Sequence, residues 1–140
     1  MVQASIGGNA MPAPDPTRAR FEHLVDLFGK AWEARQPAAM GEVFTDDATF
    51  IPGPFDEALK GRAAIVAYWG EVPREQSGIA FRFGEIFVAG PWFAAEFNCT
   101  YRRLKTGDWI RVSGAMFCET VNEKISEMRM YWDRTTVRAP

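Results

Sequence analysis

The segment that decides the fold runs from Val43 to Trp69 and reads VFTDDATFIPGPFDEALKGRAAIVAYW. It predicts the end of a helix, an acidic turn and a short strand over Ala48–Ile51. Pro52-Gly53-Pro54 breaks that strand, and Lys60-Gly61-Arg62 leads into a helix over Ala63–Trp69. The order of elements in this segment therefore predicts a strand held between helices.

The two residues of the acidic turn, Asp46 and Asp47, have two interpretations. They could form a paired-carboxylate site for acid–base chemistry. An Asp pair before a strand is also ordinary turn chemistry, because Asp side chains bond to nearby backbone N–H groups. We favour the turn.

Two more helices are predicted on the amino-terminal side of this segment. A long one runs from Thr17 to Arg35, with Thr17 as a plausible N-cap, and a short one runs from Pro37 to Phe44. Apolar residues recur at helical spacing along the long helix and form one stripe, made of Phe21, Leu24, Val25, Phe28 and Trp32. This stripe predicts a buried helix face.

Four strand-like segments follow on the carboxyl-terminal side, separated by Gly-Pro, Thr-Gly-Asp and Asn-Glu turns. They are Ile79–Ala89, Trp92–Arg103, Trp109–Val121 and Lys124–Thr136. Helices followed by a long antiparallel meander indicate an α+β fold. A chain of 140 residues is typical of one domain, which we place at residues 17–138 after an N-terminal tail over residues 1–16.

Two of these strands alternate apolar and polar residues, as expected of strands with one buried face. In the last strand, Met128, Met130 and Trp132 share one face with Ser126, and the opposite face carries Glu127, Arg129, Tyr131 and Asp133. In the strand before Arg103, one face carries Phe93, Ala95, Phe97, Cys99 and Tyr101, and Glu96 lies on the other. We expect the apolar faces to point inward, although a register slip of one residue would reverse the last strand.

The composition argues against several classes of function. Sixteen basic and eighteen acidic residues give a formal charge of −2, and no basic stripe indicates nucleic-acid binding. No zinc spacing, phosphate-binding glycine loop or membrane-spanning segment is present in the sequence, and we predict no metal and no cofactor. Cys99 and Cys118 are expected to be buried free thiols, and the default location is the cytoplasm because no secretory signal is seen.

From Phe21 to Arg134 the chain resembles the nuclear transport factor 2-like superfamily, and most closely its SnoaL-like and ketosteroid-isomerase-like branch. The resemblance is carried by Phe44–Phe50, Lys60–Trp69 and Met128–Asp133. It implies a cone in which a curved, largely antiparallel mixed sheet wraps around three N-terminal helices and encloses a pocket. It also implies a homodimer formed through the outer face of the sheet.

The catalytic residues of known members of this branch are absent from the corresponding positions. The ketosteroid isomerase base falls on Pro52, its tyrosine on Phe28 and its second acid near Met116 or Phe117. A limonene epoxide hydrolase resembles the last strand but has its catalytic Asp at the position of Met130. The paired Arg and Asp of that enzyme would fall on Asn98 and Thr100, or on Glu96 and Asn98, neither of which is the required charge pair.

Few residues remain that could carry out chemistry in such a pocket. The candidate catalytic residues are Tyr68, Tyr101 and Glu96, with Glu85 as a further base if it turns inward, whereas His23 lies on the polar side of its helix. The predicted binding residues are Phe28, Trp32, Phe50, Trp69, Phe97, Met128, Met130 and Trp132. The function predicted from the resemblance is binding of a small apolar molecule, with or without proton-transfer chemistry of the isomerase, cyclase or dehydratase type. The alternative is a non-catalytic binding module or a dimeric interaction domain.

Overall fold

The computed structural model describes residues 15–138 as three helices, a short 3-10 helix and six strands. The helices are α1 (Pro16–Ala34), α2 (Pro37–Gly41) and α3 (Arg62–Glu71), and the 3-10 helix is Val72–Glu75. The strands are β1 (Phe44–Ile51), β2 (Leu59–Lys60), β3 (Gln76–Ala89), β4 (Trp92–Arg103), β5 (Trp109–Val121) and β6 (Lys124–Val137). No helix in this part of the chain is both long and apolar enough to cross a bilayer.

The six strands form one curved, unclosed sheet in the order β2-β1-β6-β5-β4-β3. The pairing of β1 with β6 is parallel, and every other pairing is antiparallel. The sheet wraps around the helices in a cone, so the α+β fold class predicted from the sequence is confirmed.

Several element boundaries differ from the sequence prediction. Helix α1 begins at Pro16 and is capped by Asp15, whose carboxylate accepts a hydrogen bond from the Thr17 backbone N–H at 2.9 Å. Helix α2 ends at Gly41, three residues before the predicted end, and the two-residue strand β2 was not predicted. The predicted N-terminal tail lies outside the described residues except for Asp15 and Pro16.

The Lys60-Gly61-Arg62 motif joins β1, α2 and α3. Gly61 has a φ of 90° and a ψ of 151°, a conformation open almost only to glycine, and its N–H donates to Ala48. The Arg62 guanidinium donates to the carbonyl oxygens of Gly41 at 3.0 Å and Phe44 at 2.6 Å and pairs with Asp46. Asp46 and Asp47 lie within β1, which begins at Phe44, so the turn predicted before the strand is wrong. Asp46 has a structural role as the ion-pair partner of Arg62.

The apolar stripe of α1 is buried against the inner face of the sheet, as predicted. Helix and sheet approach closely at Gly29, where a Cβ atom would lie 2.3 Å from the Phe81 ring. Phe28 is fully buried and packs edge-on against Trp32 and Trp69, with ring centroids 6.2 and 5.4 Å away. Interlocked aromatic rings thus fill the centre of the cone.

The β5–β6 hairpin sets the direction of every side chain in the last strand. Asn122 and Glu123, both at positive φ, form a two-residue turn, and a bulge at Ser126 shifts the register once. Beyond the bulge, Met128 and Met130 are buried on the inner face. Arg129, Tyr131 and Asp133 are exposed on the outer face, so the predicted orientation of β6 is confirmed.

Candidate functional site

A cavity of about 330 Å³ lies between α3, the 3-10 helix and the inner face of the sheet. Ligand pockets in proteins span roughly 300–1,000 Å³, so this volume suits a small molecule. The lining residues are Trp32, Pro52, Tyr68, Trp69, Val72, Glu75, Gln76, Tyr101, Arg103, Val112, Met130, Trp132 and Arg134. Five of these residues carry aromatic rings, and three carry charges: Glu75, Arg103 and Arg134. We call the side of the cavity with the three charged residues its mouth.

The predicted binding residues divide into two groups. Trp32, Trp69, Met130 and Trp132 line the cavity. The other four are buried in the core and do not line this cavity: Phe28, Phe50, Phe97 and Met128. Strand alternation and the stripe of the first helix place six of the eight on inner faces, but neither pattern shows that ring-to-ring packing fills the centre of the cone.

Two of the predicted catalytic residues, Tyr68 on α3 and Tyr101 on β4, line the cavity together. Neither hydroxyl is hydrogen-bonded to another residue between 15 and 138. Burial, and to a smaller extent the charges of Asp56 and of an ionised Tyr101, raises the pKa of Tyr68 to about 12. Tyr68 is therefore protonated at neutral pH and can donate to a bound acceptor, and the Tyr101 hydroxyl offers a second donor in the same cavity.

The raised pKa of Tyr68 predicts a late step in the titration of the tyrosines. We expect the phenolate absorbance of wild type minus that of Tyr68→Phe to rise with a midpoint near pH 12, because burial favours the neutral phenol. The unfolded chain releases this proton near pH 10, so the contribution of Tyr68 to stability falls as pH rises from 10 towards 12. Circular dichroism at each pH controls for unfolding, and a difference curve centred near pH 10 in folded protein would contradict the burial.

Hydrogen bonds hold the aromatic wall in place. The Trp32 indole N–H donates to the side-chain oxygen of Gln76 at 2.9 Å, and Arg35 donates to the Gln76 backbone carbonyl at 3.1 Å. Across the cavity, the Trp132 indole N–H donates to the Pro52 carbonyl at 2.6 Å. These bonds fix two of the three tryptophan rings, so the cavity is largely pre-formed.

Trp69 differs from the other two tryptophans of the wall. Its indole N–H is the one buried side-chain polar group without a hydrogen-bond partner among residues 15–138. The ring is enclosed by aromatic neighbours, with the centroids of Trp32 and Tyr68 at 5.2 and 5.3 Å. A buried unpaired donor costs about 1–3 kcal/mol.

The two neighbouring tryptophans should respond differently to the same substitution. Trp32→Phe strands the buried Gln76 oxygen, and we expect it to lower the free energy of unfolding by about 1–3 kcal/mol more than Trp69→Phe does. Trp69→Phe loses ring area but removes an unpaired donor. Urea denaturation of both variants gives the comparison, and equal losses would refute the hydrogen-bond argument.

The remaining acid–base candidates lie away from the cavity. Glu96 points to the outer face of β4, because Phe97 and Ala95 take the buried positions on either side of it. Glu85 and His23 are also exposed, and neither lines the cavity. The structure therefore does not provide the inward carboxylate that a role for Glu96 or Glu85 requires.

Five polar residues at the cavity were not predicted from sequence, and one of them is Glu75. Gln76, Arg103 and Arg134 line it, and the Asp56 carboxylate lies close enough to the mouth to affect the pKa of Tyr68. The Gly53–Asp56 loop places that carboxylate: a Cβ atom at Gly53 would lie 2.8 Å from Asp56 Oδ2 and 3.8 Å from Trp132 Nε1. Arginines that continue the inward rows of β4 and β6 were a usable signal, whereas nothing in the sequence showed where the loop folds.

Metal-site geometry is not found within the described residues, since no three His, Cys, Asp or Glu side chains there are grouped to hold an ion. Cys99 and Cys118 are free and buried, as predicted, and burial raises the pKa of both thiols. The chemistry available in the cavity is therefore that of phenol, indole and amide hydrogen bonds, with charged groups at the mouth.

Comparison with known proteins agrees with this architecture. The family model described as a SnoaL-like domain matches residues 21–128. No curated protein matches the chain.

Several solved structures share the fold at low sequence identity. One is SalBIII, an epoxide hydrolase/cyclase-like enzyme with a role in pyran ring formation in the polyether salinomycin. Its structure matches with a TM-score of 0.75 at 17% sequence identity, and the match covers 87% of this chain and 98% of SalBIII. A SnoaL-like polyketide cyclase structure from Jannaschia sp. CCS1 has a TM-score of 0.72 at 14% identity, and the match covers 88% of this chain and 92% of that chain. A ketosteroid isomerase-like protein from Catenulispora acidiphila, in complex with trimethylamine, has a TM-score of 0.70 at 19% identity, over 77% and 83%.

Proposed function

Since this chain belongs to the SnoaL-like domain family, we propose that its cavity binds a small, mainly apolar molecule that carries a hydrogen-bond acceptor. The observation that carries the proposal is the pair of phenol hydroxyls, those of Tyr68 and Tyr101, in a cavity whose wall is mainly apolar. A carbonyl or ether oxygen of the ligand, placed between them, would accept hydrogen bonds from the two hydroxyls, which are bonded to no other residue between 15 and 138. The apolar body of the molecule would pack against Trp32, Trp69 and Met130.

Binding is favoured over catalysis because, within residues 15–138, no carboxylate or imidazole lies on the inner wall of the cavity. Glu75 is the one acidic residue of the lining, and it is exposed at the mouth. A pre-formed apolar cavity with a few convergent donors is typical of a ligand site and needs no reaction to explain it.

Asp56 supports proton transfer as a second candidate function. Its carboxylate could take a proton from the carbon next to a ligand carbonyl, with Tyr68 and Tyr101 donating to the enolate oxygen. Returning the proton to another carbon would regenerate the carboxylate with no net oxidation. Exchange of the methyl protons of an aryl methyl ketone in heavy water, followed by NMR, tests this: catalysed exchange that Asp56→Asn abolishes would support it, and exchange at the buffer rate would exclude it for such ketones.

The outer face of the sheet offers the surface for the predicted homodimer. Phe117 and Tyr131 are 43% and 45% exposed and pack edge to face there, and Arg129 lies over the Trp92 ring at 5.7 Å. Exposed aromatic and Arg side chains are enriched at protein interfaces. We propose that two copies meet on this face, and that the protein acts in the cytoplasm.

Intrinsic fluorescence tests the binding proposal directly, because three of the five tryptophans line the cavity. In a Trp92→Phe/Trp109→Phe variant, only these cavity tryptophans remain. Titration with an aryl ketone should quench their emission in a saturable way. Tyr68→Phe/Tyr101→Phe should weaken binding of the ketone about tenfold but leave binding of the matching hydrocarbon unchanged, because only the ketone accepts hydrogen bonds.

Two results would count against the proposal. Quenching that rises linearly without saturation would show collision in place of binding. Equal affinity of the double tyrosine variant and the wild type for the ketone would remove the two phenols from the site. An outer-face control, Tyr131→Phe, removes a phenol outside the cavity and should change neither affinity.

A further inference from the structure

The inner face of the sheet changes from apolar to cationic along two strands as it reaches the mouth of the cavity. The inward row of β4 runs Phe97, Cys99, Tyr101, Arg103, and that of β6 runs Met128, Met130, Trp132, Arg134. In each row the arginine follows an aromatic residue that can form hydrogen bonds, Tyr101 in β4 and Trp132 in β6. These two aromatic residues and both arginines line the cavity. Along both strands, the inward-facing side chains therefore become more polar towards the mouth of the cavity.

These two arginines form no ion pair with any residue between 15 and 138. Five salt bridges are formed among the described residues, and neither Arg103 nor Arg134 takes part in any of them. The neighbouring Arg102, on the outer face, instead donates to the Gly107 carbonyl at 3.3 Å. Arg103 is half-buried, and a half-buried guanidinium without a carboxylate loses hydration that nothing in residues 15–138 replaces.

The negative charges at the mouth are not paired with these guanidiniums. Glu75 lines the cavity beside the end of β4, where its backbone carbonyl accepts a hydrogen bond from the Leu104 N–H. Its carboxylate takes part in none of the five salt bridges among the described residues. Asp56 belongs to the loop after β1, near Tyr68 and Trp132. A negative group on a ligand would therefore turn towards the arginine side of the mouth and away from Asp56.

We propose that the molecule bound in this cavity is an organic acid, with an apolar ring-containing body and one carboxylate that Arg103 and Arg134 bind at the mouth. The proposal rests on the proposed function and adds the charge and the orientation of the ligand. The body lies against the tryptophans, and the carboxylate points out of the cone.

The chemistry of the pair fits a carboxylate. A guanidinium presents parallel N–H donors that match two carboxylate oxygens, and such charge-assisted bonds are stronger than neutral ones. A partly enclosed site screens them less than open solvent does. An acid should therefore bind at least about tenfold more tightly than the uncharged amide of the same shape.

The experiment compares matched acids and amides by isothermal titration calorimetry. Three bodies of increasing size are used as acid and as primary amide: phenylacetate, 4-phenylbutanoate and 2-naphthylacetate. We expect the wild type to prefer at least one acid over its amide by about tenfold or more, with a preference that shrinks as salt is added. Arg103→Gln and Arg134→Gln should each lose most of this preference but keep the affinity for the amide.

Two further variants sharpen the test. Glu75→Gln removes a negative charge from the mouth and should tighten acid binding, so its effect is opposite in sign to that of the arginine variants. Arg111→Gln removes an exposed outer-face charge from β5 and should change nothing. The two controls distinguish a local contact with the carboxylate from an effect of net charge.

The outcomes separate this inference from the proposed function. Equal affinities for acid and amide in the wild type would overturn the organic-acid assignment and leave the apolar site standing. Loss of acid preference in Arg111→Gln as well would assign it to net charge and also overturn the inference. If none of the six compounds bound, both the inference and the proposed function would fall.

Discussion

Replacing Gly114 by alanine is expected to lower the free energy of unfolding by about 3 kcal/mol or more, because the new methyl group has no space. A Cβ atom there would lie 2.0 Å from the Tyr131 carbonyl oxygen and 2.7 Å from the Trp132 Cα, both in the backbone of the next strand. Backbone atoms cannot rotate away as a side chain can, so β5 and β6 would have to separate. Urea denaturation followed by circular dichroism measures the loss.

Gly84→Ala is the matched control for this prediction. Gly84 also lies in a strand, but a Cβ atom there would meet nothing closer than the Glu96 carbonyl oxygen at 3.9 Å. Alanine should be neutral or stabilising there by about 0.5–1 kcal/mol, since it restricts the unfolded chain. A Gly114→Ala protein within 1 kcal/mol of wild type would show that the close approach at Trp132 is wrong.

Filling the cavity from β5 should abolish ligand binding and leave the protein folded. Val112 lines the cavity and is 6% exposed, opposite Cys99 on one side and Arg134 on the other. In Val112→Phe the ring would occupy the space between the tryptophans that the ligand needs. We expect at least a hundredfold loss of affinity for the aryl ketone, roughly 2.7 kcal/mol.

The stability of the variant distinguishes a filled cavity from a damaged one. Added volume usually strains a core, but here it enters empty space, so Val112→Phe should unfold within about 1 kcal/mol of wild type. Val112→Ala enlarges the cavity and should still bind the ketone. If Val112→Phe remained folded and bound the ketone as tightly as wild type, the ligand would have to lie elsewhere.

The elements of the fold could be predicted because local rules determine them. The stripe on α1, the break at Pro52-Gly53-Pro54 and the alternation in β6 each follow from the periodicity or the turn chemistry of neighbouring residues. β2 was missed because Leu59–Lys60 is too short to show any period. The bulge at Ser126 was missed because one extra residue in a strand leaves no mark in composition.

The candidate site could be predicted only in part. Strand alternation predicted that Tyr101 and Trp132 face inward, and both line the cavity. Tyr68 and Trp69 also line it, but they were candidates from the resemblance alone. Patterns do not show how far a neighbouring ring reaches, so the packing of Phe28 among Trp32 and Trp69 could not be predicted. For the same reason Phe28, Phe50, Phe97 and Met128 were predicted to bind the ligand, whereas the structure packs them in the core outside the cavity.

The most direct test is a crystal structure of the protein with 4-bromoacetophenone, whose bromine is located by its anomalous signal. We predict one bromine peak inside the cavity, near Trp32, Trp69 and Met130, with the ketone oxygen within hydrogen-bond distance of Tyr68 or Tyr101. A bromine found only on the outer face near Phe117 and Tyr131, with the cavity empty at saturating ligand, would contradict the account.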